Sequence, residues 1–557
     1  NNPAGDGLPV ESYYGKDARA FTLLGDNDAS DWLTAVLTPM DLMRFDGTFS
    51  TTPLVSRSNA PIGADLDLDG HNETLSGQVS GTVEGFETLS LDAGTFSNTA
   101  RIRYDASGTV FLSGGGSVTV TQTTREWRAP GVGTLRQVIQ TTVGGSTSTT
   151  TLEVQGLSVN GVRGGFMRPA DLLTSLASAS SDETRPGRPA LASDGLRHLL
   201  VSNRQITATT WQWVGQFIGA DGSLQASIQL GLATSDLWGN PALAWNAATS
   251  TYGFVAGGGT AYGVRFQRLD ANGTVLDPLP NDLAPDGRNR ALAAGGGRWL
   301  VVYLRNGSPG ALFGKLIDAN GLAGTELVIA ASGVADFAQP AVAFDGINFL
   351  IAWESGPGSA QPASTDLLAR RVSPLGTFQE VGPFAVSLAA EAQWTPQIAC
   401  DGTNCLIAWV DRRAYPGQSY SVSPGPGDLY GTLIGTAGTP LQADGLALAT
   451  GITANALYPG LSFNGTDYVL AWSRGAYVNN PGGPTGIYAM RVSTAGVGSP
   501  AMPGLAISGT PPAGTRYLYP TVSSAGTGAL VVWLDNTEVS GATKRIQGTV
   551  LWPRLSR

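Results

Sequence analysis

Asp65-Leu66-Asp67-Leu68-Asp69-Gly70-His71-Asn72-Glu73 sets carboxylates at positions 1, 3, 5 and 9 of one short stretch, with glycine at position 6. Ca²⁺ takes six to eight hard oxygen ligands, and a glycine there permits the turn that would bring the His71 carbonyl in at position 7. Asp65, Asp67, Asp69, His71 and Glu73 are therefore expected to hold a calcium ion that stiffens the loop. The alternative is an acidic, solvated turn. Catalytic chemistry has less to draw on. The chain has two histidines, His71 and His198, so a histidine-based triad or a histidine-rich metal centre lacks raw material. Acid–base work would fall to carboxylates such as Glu354, Asp411 and Asp535, which follow apolar strands. Across one opening, a pair of these could serve a glycosidase. Other copies of the same segment carry Ser473 there or Arg305 nearby, the pattern of a variable surface, and no catalytic residue is assigned.

Recognition has more candidates. Two long connections, residues 411–428 and 473–486, carry Asp411, Arg412, Arg413, Tyr415, Tyr420, Arg474 and Tyr477. Variable loops on a rigid scaffold are the usual place for binding, and arginine beside tyrosine suits a glycan or a protein partner. Aromatic residues also recur at Trp238, Phe337, Trp394, Tyr458 and Tyr519, each just ahead of an apolar strand. Such regularity fits packing between repeats better than a ligand-facing ring.

The elements that must position these groups are set by a repeat. PAVAFDGINFLIAW (340–353), PQIACDGTNCLIAW (396–409) and PGLSFNGTDYVLAW (459–472) share an apolar strand opened by proline, an Asp/Asn-Gly turn and a second apolar strand ending in tryptophan. Weaker copies start at Pro189, Pro241, Arg290 and Pro520, which makes seven. A third strand ending in a glycine turn and a fourth leading to the next proline complete each copy. Units of four antiparallel strands that cannot bury both faces alone must stack around an axis, as β-propeller blades do. The last copy supplies three strands, so a strand near 172–177 is expected to complete it and leave no unpaired edge. The expected fold is all-β: a seven-bladed β-propeller over 166–557, closed by that upstream strand, preceded by a separate antiparallel β-sheet domain over 1–165.

Composition agrees with strands and turns. Of 557 residues, 75 are glycine and 33 proline, beside 42% hydrophobic residues. The net charge of -10 argues against nucleic acid, which needs a clustered basic surface. No apolar run reaches the length of a membrane span. Asn1 is not followed by a signal-type segment, so the chain reads as soluble and already processed, with a polar start that suits a tether behind an export signal or a lipid anchor. Cys400 and Cys405 flank the turn where other copies place Phe344 with Phe349 and Phe463 with Tyr468. As cross-strand neighbours they can form a disulfide in place of an aromatic pair, which implies an oxidising compartment. Two buried free thiols are the alternative. No second Cys or His pair is near enough in sequence for zinc.

The [AS]FDGxNFLIAWxD copies resemble the propeller repeats of secreted or surface-attached bacterial proteins. That likeness implies fold and export and little about chemistry. Ala93-Gly94-Thr95-Phe96 and Trp127 with Ala129-Pro130-Gly131-Val132-Gly133 resemble the AGTF and W-x-APGVG elements of a β-sheet domain in bacterial envelope lipoproteins, which implies a curved sheet around an apolar cleft. Turn and core roles for the same residues are the plainer reading. The Asp65–Glu73 spacing resembles the DxDxDGxxD calcium loops of extracellular proteins and departs from an EF-hand, with Ser76 at position 12 and no flanking helices evident. The function expected from sequence is an exported, non-catalytic binding or scaffold protein, periplasmic, outer-surface or extracellular. It would recognise a protein or surface polysaccharide through the long-loop face. A glycan hydrolase or lyase at the propeller mouth and a structural subunit of a larger envelope assembly are the alternatives.

Overall fold

A computed structural model describes residues 12–16, 20–26, 40–44, 55–61, 69–91, 93–129, 132–154, 156–159, 162–166, 170–177, 188–205, 211–234, 241–257, 263–305, 310–336, 338–356, 365–416, 427–450, 455–475, 486–499, 504–508, 511, 515–537, 543–552 and 555–556. Asp65, Asp67, Trp238, Phe337, Tyr420 and Tyr477 lie outside the described residues. Every regular element among the described residues is a β-strand, so none is a helix long and apolar enough to cross a membrane. The chain forms two compact units, Asn1–Gly165 with Arg554–Arg557, and Phe166–Pro553. The end of the chain departs from the expected boundary: Leu555–Ser556 pairs in parallel with Gly94 and Thr95 and belongs to the first unit.

In the second unit the repeats become successive antiparallel sheets. The first sheet comprises Ala190–Ser193, Arg197–Gln205, Trp211–Gly219 and Leu224–Thr234, and the second Ala242–Asn246, Thr251–Ala256, Val264–Asp270 and Asn281–Ala284. Gly287–Gly295, Arg298–Arg305, Gly310–Ile317 and Ala323–Val334 make the third. It meets the fourth, Ala341–Phe344, Phe349–Ser355, Asp366–Val372 and Phe384–Ser387, through one bridge between Val334 and Ser355. The fifth is Gln393–Cys400, Asn404–Asp411, Asp428–Gly435 and Leu446–Ala449. The sixth is Asn455–Phe463, Asp467–Gly475, Gly486–Ser493 and two short pieces, Gly498–Ser499 and Leu505–Ala506. Thr515–Ala525, Gly528–Thr537 and Thr543–Trp552 form the seventh, and Ala170–Ala177, far upstream, pairs antiparallel with Thr543–Trp552.

Local chemistry explains the hairpins. Asp345 Oδ1 accepts the backbone N–H groups of Ile347 (2.7 Å) and Asn348 (2.6 Å), and Asp401 Oδ1 those of Thr403 and Asn404 (both 2.7 Å). The carboxylate closes the turn as an Asx motif, while Gly346 (φ +101°) and Gly402 (φ +90°) adopt the left-handed conformation that other residues resist. Second strands such as Leu350-Ile351-Ala352-Trp353 show no polar alternation because both faces are buried. One apolar cluster lies between each pair of neighbouring sheets. Val302 and Leu304 of the third meet Ile351 and Trp353 of the fourth, Leu350 and Ala352 of the fourth meet Ile407 and Trp409 of the fifth, and Leu191 and Leu200 of the first meet Val532 and Leu534 of the seventh.

Arginines on third strands add polar ties between sheets. Arg268 Nη1 donates to the Ala319 carbonyl (2.6 Å), Arg371 to those of Thr436 and Ala437, and Arg491 Nη2 to that of Trp552 (2.6 Å). Each meets a carbonyl of the sheet that follows. A guanidinium can hold several such acceptors while its stem covers apolar surface.

In the first unit, Val55–Pro61, Thr74–Leu91, Gly94–Phe111, Ser117–Ala129, Gly133–Val143 and Ser146–Glu153 form an antiparallel meander. Ser12–Lys16, Ala20–Asp26 and Met40–Arg44 form a smaller sheet.

Candidate functional site

The first strands of consecutive sheets touch one another in order, and those of the first and seventh sheets touch as well. They surround a cavity of about 300 Å³ to which all seven sheets contribute residues. Six of its polar members sit at one repeat position, immediately before the proline, or Arg290, that opens a first strand: Arg188, Asn289, Gln339, Thr395, Tyr458 and Tyr519; Arg290, Gln397 and Thr521 line it from other positions.

Backbone geometry places them there. Asn289, Thr395, Tyr458 and Tyr519 have φ of +47°, +49°, +51° and +55°. Each falls inside a break of register between first and second strands, at Arg288/Ala291, Trp394/Gln397, Leu457/Gly460 and Leu518/Thr521. A left-handed residue without glycine costs about 1–3 kcal/mol, most for β-branched threonine. Bulges of this kind re-aim a side chain, and they concentrate beside functional sites.

Arg188 reaches across the hub. Its guanidinium carbon lies 4.1 Å from the Tyr519 ring centroid and 5.0 Å from that of Tyr458, and Nη1 donates to Gln339 Oε1 at 3.0 Å. The two tyrosine rings are 4.3 Å apart, centroid to centroid. Residues from the first, fourth, sixth and seventh repeats thus converge on one cation. Asn289 Nδ2 donates to the Ala338 carbonyl (2.9 Å), and Thr521 Oγ1 to that of Pro189 (3.2 Å), tying adjacent first strands at the rim.

Glu354 stands behind this wall. Its Oε2 accepts the Gln339 N–H (2.6 Å) and its Oε1 the Thr395 N–H (2.7 Å), so one carboxylate links two residues that line the cavity. Burial pushes its pKa up to about 7, against the opposing effect of those two donors. His198, the other buried titrating group of note, sets Nδ1 2.6 Å from Ser523 Oγ, between the first and seventh sheets. Burial pushes its pKa down to about 4. The imidazole is enclosed, and the pair ties the two sheets together.

The residues chosen from sequence for a recognition face are mostly committed within the chain. Asp411 is fully buried, accepting from Trp409 Nε1 (2.8 Å) and pairing with Arg413 (2.7 Å). Arg412 is also fully buried, 5.2 Å from the Trp394 ring, and Arg413 lies 4.0 Å over Tyr430 while donating to the Asp444 carbonyl (2.6 Å). Tyr415 donates to Asp428 Oδ1 (3.2 Å), and Arg474 lies over Tyr488 at 5.0 Å. Asp411 and Arg412 are thus enclosed within the fifth repeat, while Arg413 and Tyr415 stay half-buried. Glu354 and Asp411 bond to different partners, and neither lines the hub. Of the recurring aromatics, Tyr458 and Tyr519 pack on each other between neighbouring repeats, as expected, and also line the cavity.

Cys400 and Cys405 form a disulfide across directly opposed positions, Cα atoms 3.9 Å apart. In the first unit, Asp69 Oδ1 accepts the His71 N–H (2.9 Å) and Ser113 Oγ–H (2.8 Å); Asp69 and His71 are exposed, and Glu73 is buried. Among the described residues no three metal-ligating side chains cluster. Ala93, Phe96, Trp127 and Ala129, the phrases likened to an envelope domain, pack with Leu89, Leu91 and Leu135 as core.

No protein-family model matches the chain, and no curated protein matches it. Solved structures do align with it. The β-propeller domain of the Trilobed protease from Pyrococcus furiosus is 7% identical over 66% of this chain and 95% of its own, with a TM-score of 0.38. The polysaccharide lyase Uly1 is 10% identical over 67% of this chain and 91% of its own, at 0.41. A structure from a study of two prolyl endopeptidases is 12% identical over 67% of this chain and 48% of its own, at 0.38. At these identities the likeness concerns fold alone, and it is a likeness to β-propeller structures. The aligned structures are described mostly as enzymes, arabinanases and an arabinofuranosidase among them, where a non-catalytic binder or scaffold had been expected.

Proposed function

We propose that residues 166–553 form a closed seven-bladed propeller that processes glycans, as a lyase or hydrolase, at its hub. Closure is supported by Ala170–Ala177 pairing with Thr543–Trp552 and by the apolar cluster between the seventh and first sheets. The observation that carries the activity is the ring of polar side chains that lines the hub. Guanidinium, amides and phenols are the groups that hold sugar hydroxyls and carboxylates, and a phenol can relay a proton. Among the described residues no Asp or Glu lines the cavity. That favours proton abstraction beside a carbonyl, the chemistry of a lyase, over hydrolysis by paired carboxylates. The Cys400–Cys405 bridge suits an oxidising compartment, and the proposed setting is outside the cytoplasm, on polysaccharide at or beyond the cell surface. The test is a panel of neutral and acidic polysaccharides incubated with the full chain, following both new reducing ends and the ultraviolet absorbance of an unsaturated product. Elimination gives both signals and hydrolysis only the first. Absence of both across the panel sinks the proposal.

A further inference from the structure

We infer that Arg188 docks a carboxylate, which makes the hub a site for the uronic-acid units of an acidic glycan. The inference rests on the reading of the hub as a glycan site and narrows the substrate class.

Arg188 is held as a presented cation. Tyr519 lies under the guanidinium at 4.1 Å and Tyr458 beside it at 5.0 Å, so two aromatic faces stabilise the charge without consuming its donors. Gln339 Oε1 takes one N–H, and a guanidinium has five, arranged as a fork that matches the two oxygens of a carboxylate. Among the described residues Arg188 has no acidic partner. Arg290, the other arginine of the lining, donates Nε to the Gly263 carbonyl (2.8 Å), and Arg268, Arg305 and Arg371, on second or third strands, are paired with Asp277, Glu326 and Glu380. Glu354, close behind the wall, is already engaged by the Gln339 and Thr395 N–H groups. A cation at a partly enclosed cavity with no acid among the described residues of its lining asks for an anion from outside.

The remaining lining says which anion. Tyr458, Tyr519, Asn289 and Gln397 offer flat apolar faces beside hydroxyl and amide groups, a mixture that suits a sugar ring bearing hydroxyls and one carboxylate better than a phosphate, which calls for clustered cations or backbone donors. The net charge of -10 does not forbid an acidic ligand. Screening confines distant charges to about 8–10 Å, while a cleft with low-dielectric walls focuses the field of the cation within it.

The experiment is calorimetric titration of the full chain with oligogalacturonate and with its methyl ester, which keeps shape and hydroxyls and removes the charge. The acid is expected to bind about 10- to 100-fold more tightly than the ester, the worth of a charge-assisted hydrogen-bonded contact. Arg188→Gln should remove that difference and Arg188→Lys should restore part of it, with melting temperatures confirming that each variant folds. Equal affinity of the wild-type chain for acid and ester overturns the inference, and needs no variant. The enzyme reading fails separately. Cleavage of a neutral glycan without preference for uronate removes the role of Arg188 and leaves the enzyme. Tight uronate binding with no turnover of any glycan keeps Arg188 and removes the enzyme.

Discussion

Replacing Glu354 by glutamine should change how stability depends on pH, and the size of the change follows from where its carboxylate sits. In the folded chain the pKa is raised to about 7 from an ordinary value of 4.5, burial outweighing the two N–H donors. Between those values the native state holds a proton that the unfolded state has released. Its stabilising contribution is therefore complete below pH 4.5 and is lost as pH rises through 7. At 1.36 kcal/mol per pH unit the loss is about 3 kcal/mol. Glutamine cannot ionise, so the difference in stability, variant minus wild type, should climb by about 3 kcal/mol across this window and stay level above it. A constant offset will accompany the climb. An amide oxygen can satisfy Thr395 N–H or Gln339 N–H but its NH₂ cannot accept from the other, at a cost of about 1–3 kcal/mol. Urea unfolding of both proteins at half-unit steps from pH 4 to 8 measures each part. Parallel profiles would refute the reasoning, because they would mean the carboxylate is as well solvated in the folded chain as in the unfolded one.

His198 should act with the opposite sign. Its pKa is lowered from 6.5 to about 4, so stability from the buried neutral ring is present above 6.5 and lost as pH falls through 4, by about 3 kcal/mol; His198→Gln should abolish that acid-side loss, and an unchanged slope contradicts it. Arg371→Ala removes the Glu380 ion pair and the bonds to the Thr436 and Ala437 carbonyls, and should cost about 2–4 kcal/mol by urea unfolding; a loss under about 0.5 kcal/mol, the size of an ordinary surface change, speaks against a tie between sheets. If Asp65–Glu73 binds calcium, chelator should lower the melting temperature of the wild-type chain and have no effect once Asp67 and Asp69 are both asparagine. Equal melting with and without chelator removes the ion.

The repeat was legible because its physics is local. Asp-Gly turns, a run such as Leu350-Ile351-Ala352-Trp353 buried on both faces, and proline at a strand's start each leave a mark in neighbouring residues. The hub was half legible. Tyr458 and Tyr519 stood out as aromatics at a recurring position, but Arg188, Asn289, Gln339 and Thr395 occupy the same position and share no type, only polarity. Comparing the residue before the opening proline across all copies would have exposed the ring. The bulges that turn it inward could not be read, because nothing in Thr395 or Tyr458 advertises a left-handed backbone. The burial of Asp411 and Arg412 was hidden for a different reason. Asp411, Arg412 and Arg413 look like a solvated charged loop in sequence, yet Arg413 folds back on Asp411 and the Trp409 indole completes the pairing. Loop length marked a variable surface and said nothing of how those charges close on one another.

A crystal structure of the full chain soaked with oligogalacturonate puts ring and site to trial together. Seven sheets around the axis, with a uronate carboxylate against the Arg188 guanidinium between Tyr458 and Tyr519, is the expected result. A different number of sheets, or ligand bound on the outer loops with the hub empty, would contradict it.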